Sequence, residues 1–206
     1  MPSHLQVGSS QVKVLEYKES VKYLGRKVCL HDPHEVELSN RIAAAWGTFS
    51  KHKTELTDRR YRLKDRLRLF SATVTACVLY GCECWVLRKE QQKTLQATQR
   101  KMLRMLLHAK RRKTDESGSL EPWADFLRRS AKWVEEKLQA AGQNERLEIW
   151  QQRQTKWAER LSKGKERWSE IATVWKPFLH SGSRRGRAKA RPRKTWKAQV
   201  EGQGEL

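Results

Sequence analysis

The stretch YRLKDRLRLFSATVTACVLYGCECWVL, residues 61–87, decides the fold of this chain. Its apolar residues recur at steps of three and four, which places them on one stripe of an α-helix. That stripe consists of Leu63, Leu67, Phe70, Val74 and Val78. The second half is apolar on nearly all faces and is predicted to be buried. Gly81 is predicted to end this central helix, because glycine accepts a left-handed backbone, and residues 82–87 to leave it as a short extended segment.

Two further helices are predicted on either side of the central helix. Asp32 and Pro33 form a helix start, with Asp32 as the cap and Pro33 at the first helical position, and this helix should end near His52. A third helix is predicted over residues 89–107. Its core face is expected to carry Leu95, Met102, Met105 and Leu106. These three helices predict a small helical bundle.

The N-terminal part predicts one β-hairpin. Residues 12–17 and 21–30 are rich in β-formers and read as its two strands, with a bulge at Gly25. Residues 1–10 are predicted to be disordered. A two-stranded hairpin is marginal in water, so it is expected to pack on a larger body.

The chain changes character after residue 120, where most of its nine Trp occur. Helices are predicted over residues 123–141, from Asn144 to Gly164, and over 166–175, the first of them ending at Gly142. The apolar stripe predicted for the first of these is Trp123, Leu127, Ala131, Val134, Leu138 and Ala141. Residues 181–197 hold eight Arg or Lys and no acid, which is typical of a disordered arm. The predicted fold class is mainly α, with an N-terminal β-hairpin, a three-helix bundle, a Trp-rich helical extension and a disordered basic tail.

The charge of the chain indicates its class of partner. Across 206 residues, 44 Lys or Arg face 23 Asp or Glu, giving a formal net charge of +21. Such a charge repels itself unless a polyanion neutralises it. We therefore expect RNA or DNA as the partner. The binding is expected to be largely independent of sequence, because Lys and Arg on helices contact phosphates, which carry no base information.

The candidate phosphate contacts form three groups, at the start of the central helix, on the third helix and in the tail. They are Arg59, Arg60, Arg62, Lys64, Arg66 and Arg68; Lys101 and Arg104; and Arg184, Arg185, Arg187, Lys189, Arg191, Arg193 and Lys194. The basic run 110–113 extends the second group. Trp196, beside the tail group, has two interpretations, stacking on an unpaired base or anchoring by packing. The tail also fits a nuclear-import signal, which favours a nuclear over a cytoplasmic location.

The four cysteines, Cys29, Cys77, Cys82 and Cys84, predict neither a disulfide framework nor a zinc site. Cys82 and Cys84 lack the second ligand cluster that structural zinc requires, so no metal or other cofactor is expected. This cysteine usage favours a reducing, intracellular compartment. We expect no membrane span and no signal peptide, because no apolar run is long enough to span a membrane and residues 1–10 contain no apolar signal-peptide core.

Three motifs in order resemble the non-LTR (LINE-type) retrotransposon reverse transcriptases. LRLF at 67–70, LYGCE at 79–83 and Trp85 resemble the thumb region of these polymerases. KYLG at 22–25 is similar to the start of the strand that follows their palm domain, and RPRKTW at 191–196 is similar to a basic motif of their C-terminal tail. The resemblance covers about residues 17–197.

The resemblance implies a fragment that lacks the fingers and the palm. Residues 11–113 would be the post-palm hairpin and thumb-like bundle, 120–176 the Trp-rich extension and 177–206 the basic tail. The family's catalytic carboxylates, which hold two metal ions, have no counterparts, since the chain contains no Asp-Asp pair. The resemblance therefore implies primer–template binding through phosphates, without polymerase activity.

Two alternatives remain open from the sequence. One is a free-standing basic protein that binds RNA or DNA. The other is a helical scaffold whose hairpin and Trp-bearing helices dock on another protein, of which a missing palm domain is one example. Binding to a polyanion weakens steeply with salt whereas apolar docking does not, so salt dependence distinguishes these alternatives.

Overall fold

A computed structural model of the chain describes residues 4–113, 118–163 and 196–202. The fold is mainly α-helical with an N-terminal β region, as predicted. The strands are β1 His4–Val7, β2 Ser10–Lys13, β3 Ser20–Tyr23 and β4 Arg26–Cys29. The helices are α1 Pro33–Lys51, α2 Lys53–Thr57, α3 Leu63–Phe70, α4 Ala76–Val78, α5 Lys89–Leu106, α6 Trp123–Ala140, α7 Arg146–Lys163 and α8 Trp196–Glu201.

The β region contains two hairpins, where the sequence predicted one. β1 pairs with β2, and β3 pairs with β4, each antiparallel and in a separate two-stranded sheet. The predicted strand over 21–30 is divided by a two-residue turn at Leu24 and Gly25, which have φ of 45° and 78°. A tight hairpin turn with positive φ at both central residues matches the twist of its strands, so Gly25 forms a turn and not a bulge. The predicted disorder of residues 1–10 is wrong for the part that β1 and its turn occupy.

Buried polar contacts attach the second hairpin to the first helix. Glu37 of α1 is buried, and its carboxylate accepts hydrogen bonds from the Lys27 backbone N–H at 2.6 Å and from Arg41 Nε at 2.7 Å. Arg41 Nη2 in turn donates to the Gly25 carbonyl at 2.7 Å. These bonds fix β4 and the β3–β4 turn on α1, although most apolar side chains of the hairpins remain exposed.

Helix α1 begins at Pro33, as predicted, but its cap differs from the expectation. Asp32 has a left-handed backbone, with φ of 52°, and its side chain makes no capping bond. The Asp32 carboxylate instead pairs with Arg88, at the start of α5. The predicted cap is therefore wrong, and the acid joins the N-terminal ends of two helices.

The central helix occupies the middle of the core. It runs through α3, a π-helical turn over Ser71–Thr75 and α4, and it stops at Gly81, with φ of 66°. Residues 82–84 then form a 3₁₀ turn where an extended segment was predicted, and the chain is extended at Trp85. The core formed with α1 and α5 contains Leu38, Ala45, Phe49, Leu67, Phe70, Val74, Val78, Leu95, Met102 and Leu106. Met105, expected in this core, is exposed.

The Trp-rich helices share this core. Val134 and Leu138 of α6 and Trp150 of α7 belong to the same buried cluster as the central helix. The buried face of α6 carries Phe126, Ser130, Val134 and Leu138. Only two of the six residues of the predicted stripe, Val134 and Leu138, are therefore buried, and Trp123 is 58% exposed on the open first turn of the helix.

The last described element lies in the region predicted as a disordered tail. Helix α8 is anchored on the exit of the central helix, since Trp196 Nε1 donates to the Glu83 carbonyl at 2.5 Å and Gln199 Nε2 to the Leu87 carbonyl at 2.9 Å. The prediction of disorder is wrong for residues 196–202. Trp196 serves as a packing anchor, which was one of its two interpretations. Gly164, the predicted helix over 166–175 and residues 177–195 lie outside the described residues.

Candidate nucleic-acid interface

Arg66 connects three helix ends at one pole of the helical body. Its side chain, on the first turns of α3, is only 8% exposed. Arg66 Nη1 donates to the Leu56 carbonyl at 3.2 Å and to the Leu106 carbonyl at 2.9 Å, in the last turns of α2 and α5. A cation is favourable at the carbonyl end of a helix. Burial lowers the pKa of Arg66. The prediction of Arg66 as a phosphate contact is therefore wrong, because its guanidinium is buried against these two carbonyls.

His108 makes a second connection at the same pole. It follows α5 in a left-handed conformation, with φ of 55°, and its Nε2 lies 2.7 Å from the Thr57 carbonyl at the end of α2. A carbonyl only accepts, so Nε2 carries the proton of this bond. The contacts of Arg66 and His108 bring the segment after α2 next to the segment after α5. Segments 58–62 and 107–113 thus lie at one end of the molecule although they are about 50 residues apart in sequence.

These two segments and the start of α3 carry a group of exposed cations. We call this group the junction surface. It consists of Arg59, Arg62, Lys64, Lys110, Arg112 and Lys113. The structure thus brings three of the predicted phosphate contacts together with the basic run after α5.

Arg60 is exposed in the same segment, but it already has an acidic partner. Its Nε and Nη2 donate to Asp58 Oδ2 at 2.9 and 2.7 Å. This bond lowers the pKa of Asp58 and raises that of Arg60. Arg60 therefore neutralises the one acid of segment 58–62.

Glu121 and Arg129 hold the loop after α5 in place. The buried Glu121 carboxylate accepts from the Arg112 backbone N–H at 2.9 Å and from Arg129 Nε at 3.2 Å. Arg129 Nη2 also donates to the Lys110 carbonyl at 3.0 Å. The bond from Arg129 is the main cause that lowers the pKa of Glu121 to about 2. The acid is therefore ionised and paired, and the loop presents its basic side chains from a fixed backbone.

A groove opens beside this loop, with a volume of about 500 Å³. The loop forms one wall, and helix α6 contributes Lys132, Trp133 and Glu136 to its lining. Sequence analysis did not identify these residues, nor Glu121 and Arg129. The only signal for them was a basic run followed a few residues later by a Trp-bearing helix.

The other predicted contacts lie in different surroundings. Lys101 Nζ is 5.5 Å from the centre of the Trp46 ring, which already gives this cation a partner. Arg104 is half-buried, and burial lowers its pKa, with a smaller effect of Arg100. Arg68 is exposed on α3. The seven tail residues from Arg184 to Lys194 lie beyond the part of the chain that the structure describes.

A smaller groove, of about 330 Å³, lies between the exit of the central helix and α7. Arg153, Lys156 and Arg160 line it together with Trp157 and the exposed Cys84. Arg153 Nη1 donates to the Leu79 carbonyl at 3.0 Å. This groove is also basic, but its described lining includes none of the predicted phosphate contacts.

The cysteines are free thiols in different environments. Cys82 is buried, and burial raises its pKa to about 12, so this thiol is not ionised at neutral pH. Arg26 Nη1 donates to the exposed Cys84 Sγ at 2.9 Å. Within residues 4–113, 118–163 and 196–202, no three His, Cys, Asp or Glu side chains are grouped so that they could hold a metal ion.

Arg146, at the start of α7, is a buried arginine that sequence analysis did not notice. It is fully inaccessible, and its guanidinium lies 5.2 Å from the centre of the Phe70 ring. Nη2 points to Met102 Sδ at 3.4 Å, while Nε and Nη1 have no hydrogen-bond partner among the described residues. Burial lowers the pKa of Arg146 to about 9. Its charge therefore opposes folding rather than supporting a surface site.

Comparison with known proteins adds no relative. No family model, curated protein or solved structure matches this chain. In the described part of the chain, none of the helices has the length and apolar character to cross a membrane. The function must therefore be argued from the site itself.

Proposed function

We propose that this chain is a nucleic-acid-binding protein that holds the phosphate backbone of RNA or DNA with its junction surface. The proposal includes its origin as a non-catalytic fragment of a LINE-type reverse transcriptase, equivalent to the thumb and C-terminal region. That origin rests on the sequence motifs. The binding function rests on the arrangement of charge.

One observation carries the binding proposal, namely the concentration at one pole of cations that have no ion-pair partner among the described residues. Arg59, Arg62 and Lys64 share this pole with Lys110, Arg112 and Lys113, while the nearby acids Asp58 and Glu121 are each paired with an arginine. Like charges held together destabilise one another in water, and a row of phosphates relieves this repulsion. Cations outnumber the exposed acids of this pole, Asp65 and Glu136, so this fixed surface is favourable for backbone contacts.

The absence of sequence preference follows from the same chemistry. The junction surface offers guanidinium and ammonium groups on helix starts and loops, and such groups bind phosphate oxygens that are identical in every sequence. We therefore expect similar affinity for duplexes of unrelated sequence. The polymerase reaction is not part of the proposal, because the sequence contains no Asp-Asp pair for two metal ions.

The salt dependence of binding tests the proposal. If the six residues of the junction surface meet phosphates, log K should fall against log salt with a slope of roughly −4 to −5, from about 0.7–0.9 for each contact. Fluorescence anisotropy with a labelled duplex, titrated at several salt concentrations, measures this slope. A slope near zero, or strong preference for one sequence, would contradict the proposal.

A pair of double variants provides the matched control. Lys64→Gln with Arg112→Gln removes two charges from the junction surface and should reduce the slope by about 1.5. Lys89→Gln with Lys93→Gln removes two charges from the opposite end of α5, about 20 Å away at 1.5 Å per residue. This control should change the slope much less. Equal effects of both pairs would show that only net charge matters, not the junction surface.

A second candidate function is docking on a protein, and a specific observation favours it. Seven large apolar side chains are exposed on the two hairpins, whose strands have unpaired edges, and three more are exposed in the segments that flank the second hairpin. Exposed apolar strands of this kind bind other proteins. Such docking would be insensitive to salt and would survive the Lys64 and Arg112 changes. A copurified partner released by removal of residues 1–31 would support this candidate over nucleic acid.

A further inference from the structure

We propose that the groove beside the loop 108–113 binds one unpaired nucleotide, so that the chain prefers a duplex with a single-stranded extension over a blunt duplex. This inference rests on the proposed function and specifies its substrate. The groove is formed by His108, Lys110 and Arg112 on the loop and by Lys132, Trp133 and Glu136 on α6. Its three kinds of side chain fit the phosphate, the face of the base and the edge of the base.

The cations fit the phosphate. Lys110 and Arg112 belong to both the junction surface and the groove, and Lys132 adds a cation from the opposite wall. A strand whose phosphates follow the junction surface can therefore continue into the groove without leaving basic contacts. Arg129, the remaining cation of the lining, is occupied by Glu121 and the Lys110 carbonyl, so it stabilises the wall.

Trp133 fits the face of a base. Its ring is half-buried in α6 and lines the groove, whereas Trp123, ten residues earlier, is exposed, contacts the Phe126 ring and does not line the groove. An indole that is held by its own helix offers a flat surface at little entropic cost. Stacking on such a ring within a groove favours an unpaired base, because both faces of a base pair inside a duplex are covered.

Glu136 distinguishes a nucleotide from a simple anion. A carboxylate in a groove that bound only phosphate would repel its ligand. The same carboxylate can accept a hydrogen bond from the exocyclic amine of cytosine or adenine, as acidic side chains do when they contact base edges. The volume of about 500 Å³ also lies within the usual range for small-ligand sites. Together these features favour a base with its phosphate over phosphate alone.

Three labelled duplexes test the inference with the full chain. One is blunt, one carries a short single-stranded overhang, and one carries an overhang of the same length made of abasic residues. The last two have the same number of phosphates, so they differ only in the bases. We expect the overhang with bases to bind about tenfold more tightly than the abasic one, from the stacking of one base. Versions with DNA and RNA overhangs show whether the sugar matters.

Variants then assign the effect to the groove. Trp133→Leu should abolish the difference between the two overhangs, Trp133→Phe should retain part of it, and Trp123→Leu, on the same helix, should leave it unchanged. Circular dichroism confirms that each variant folds. Should Trp133→Leu fail to fold, two measurements still test the inference. They are the difference in affinity of the wild type for the two overhangs and the same difference for Trp133→Phe. Excess inorganic phosphate should not compete.

The outcomes separate this inference from the proposed function. Equal binding of all three duplexes with a steep salt slope would overturn the inference and leave backbone binding intact. An equal loss of overhang preference with Trp123→Leu would also overturn it. No binding of any duplex would overturn both.

Discussion

Two buried arginines provide a direct test of the energetics of this core. Arg66 and Arg146 are both buried, but only Arg66 donates to backbone carbonyls. Among the described residues, Arg146 has two nitrogen atoms without a partner, Nε and Nη1, whereas Arg66 has one, Nε. We predict that the same substitution has opposite signs at the two sites, with Arg146→Met stabilising the fold and Arg66→Met destabilising it.

The magnitude at Arg146 follows from its pKa. A decrease from 12.5 to about 9 corresponds to about 5 kcal/mol of unfavourable free energy for the charged form, at about 1.4 kcal/mol for each pKa unit. The change to Met recovers only part of this, since the cation–π contact with Phe70 is worth about 1 kcal/mol and some packing volume is lost. Replacing a buried charge by an apolar side chain then gains about 1–3 kcal/mol.

The expected loss at Arg66 comes from its acceptors. Arg66→Met leaves the carbonyls of Leu56 and Leu106 without this donor, and each unsatisfied buried group costs about 1–3 kcal/mol. The lost charge at the two helix ends adds to this cost. We expect a net loss of about 2–3 kcal/mol.

Urea unfolding followed by circular dichroism measures both values. Lys93→Met, at an exposed position of α5, is the control and should change stability by less than about 0.5 kcal/mol. The slope of the unfolding free energy against urea concentration should be equal among the variants, which would show that the surface exposed on unfolding is unchanged.

The pH dependence gives an independent check on Arg146. Its pKa in the folded state lies below that of the unfolded state, so wild type should gain stability relative to Arg146→Met as pH rises above about 9. A destabilised Arg146→Met, or the same sign of change at both arginines, would show that the charge of Arg146 is compensated and would refute this reasoning.

Two further predictions concern paired acids. The folded-state pKa of Glu121 is about 2, below its usual 4.5, so the stability that the ionised Glu121 contributes is present above pH 4.5 and is lost as pH falls toward 2. Glu121→Gln should therefore lose less thermal stability than wild type between pH 5 and pH 2.5. An equal loss in both proteins would contradict the pairing with Arg129. Glu37→Gln should cost about 3 kcal/mol because it leaves the charge of Arg41 buried and unpaired. Hydrogen exchange should quicken in β3 and β4 of this variant, whereas Glu90→Gln, exposed on α5, should change neither property.

The helices could be predicted from the sequence because the residues that define each helix are close to one another in the chain. The steps of three and four from Leu63 to Val78 and the glycine at position 81 are sufficient to define the central helix and its end. The division of the second strand could not be predicted, because Leu24 adopts a positive φ that its side chain disfavours and that only the paired strands impose. The shift in the buried face of α6 depends on packing against α5, which no local pattern contains.

The candidate site was predictable only in part. The basic residues around the start of α3 are evident in the sequence, but nothing in it distinguishes the buried Arg66 from the exposed Arg62 and Arg68. That distinction depends on carbonyls 10 and 40 residues away. The contribution of α6 to the groove has the same origin, since α6 is joined to the loop by the bonds of Arg129 to Glu121 and to the Lys110 carbonyl, 8 and 19 residues away.

The exit of the central helix has a consequence for the order of folding during synthesis. The carbonyl of Cys82 accepts from Trp150 Nε1, that of Trp85 from Gln154 and that of Glu83 from Trp196, and these donors follow 68, 69 and 113 residues later in the chain. Until they leave the ribosome, the backbone of this turn must remain hydrated. The three-helix bundle can thus assemble early, but its last face closes only when the C-terminal residues have been made.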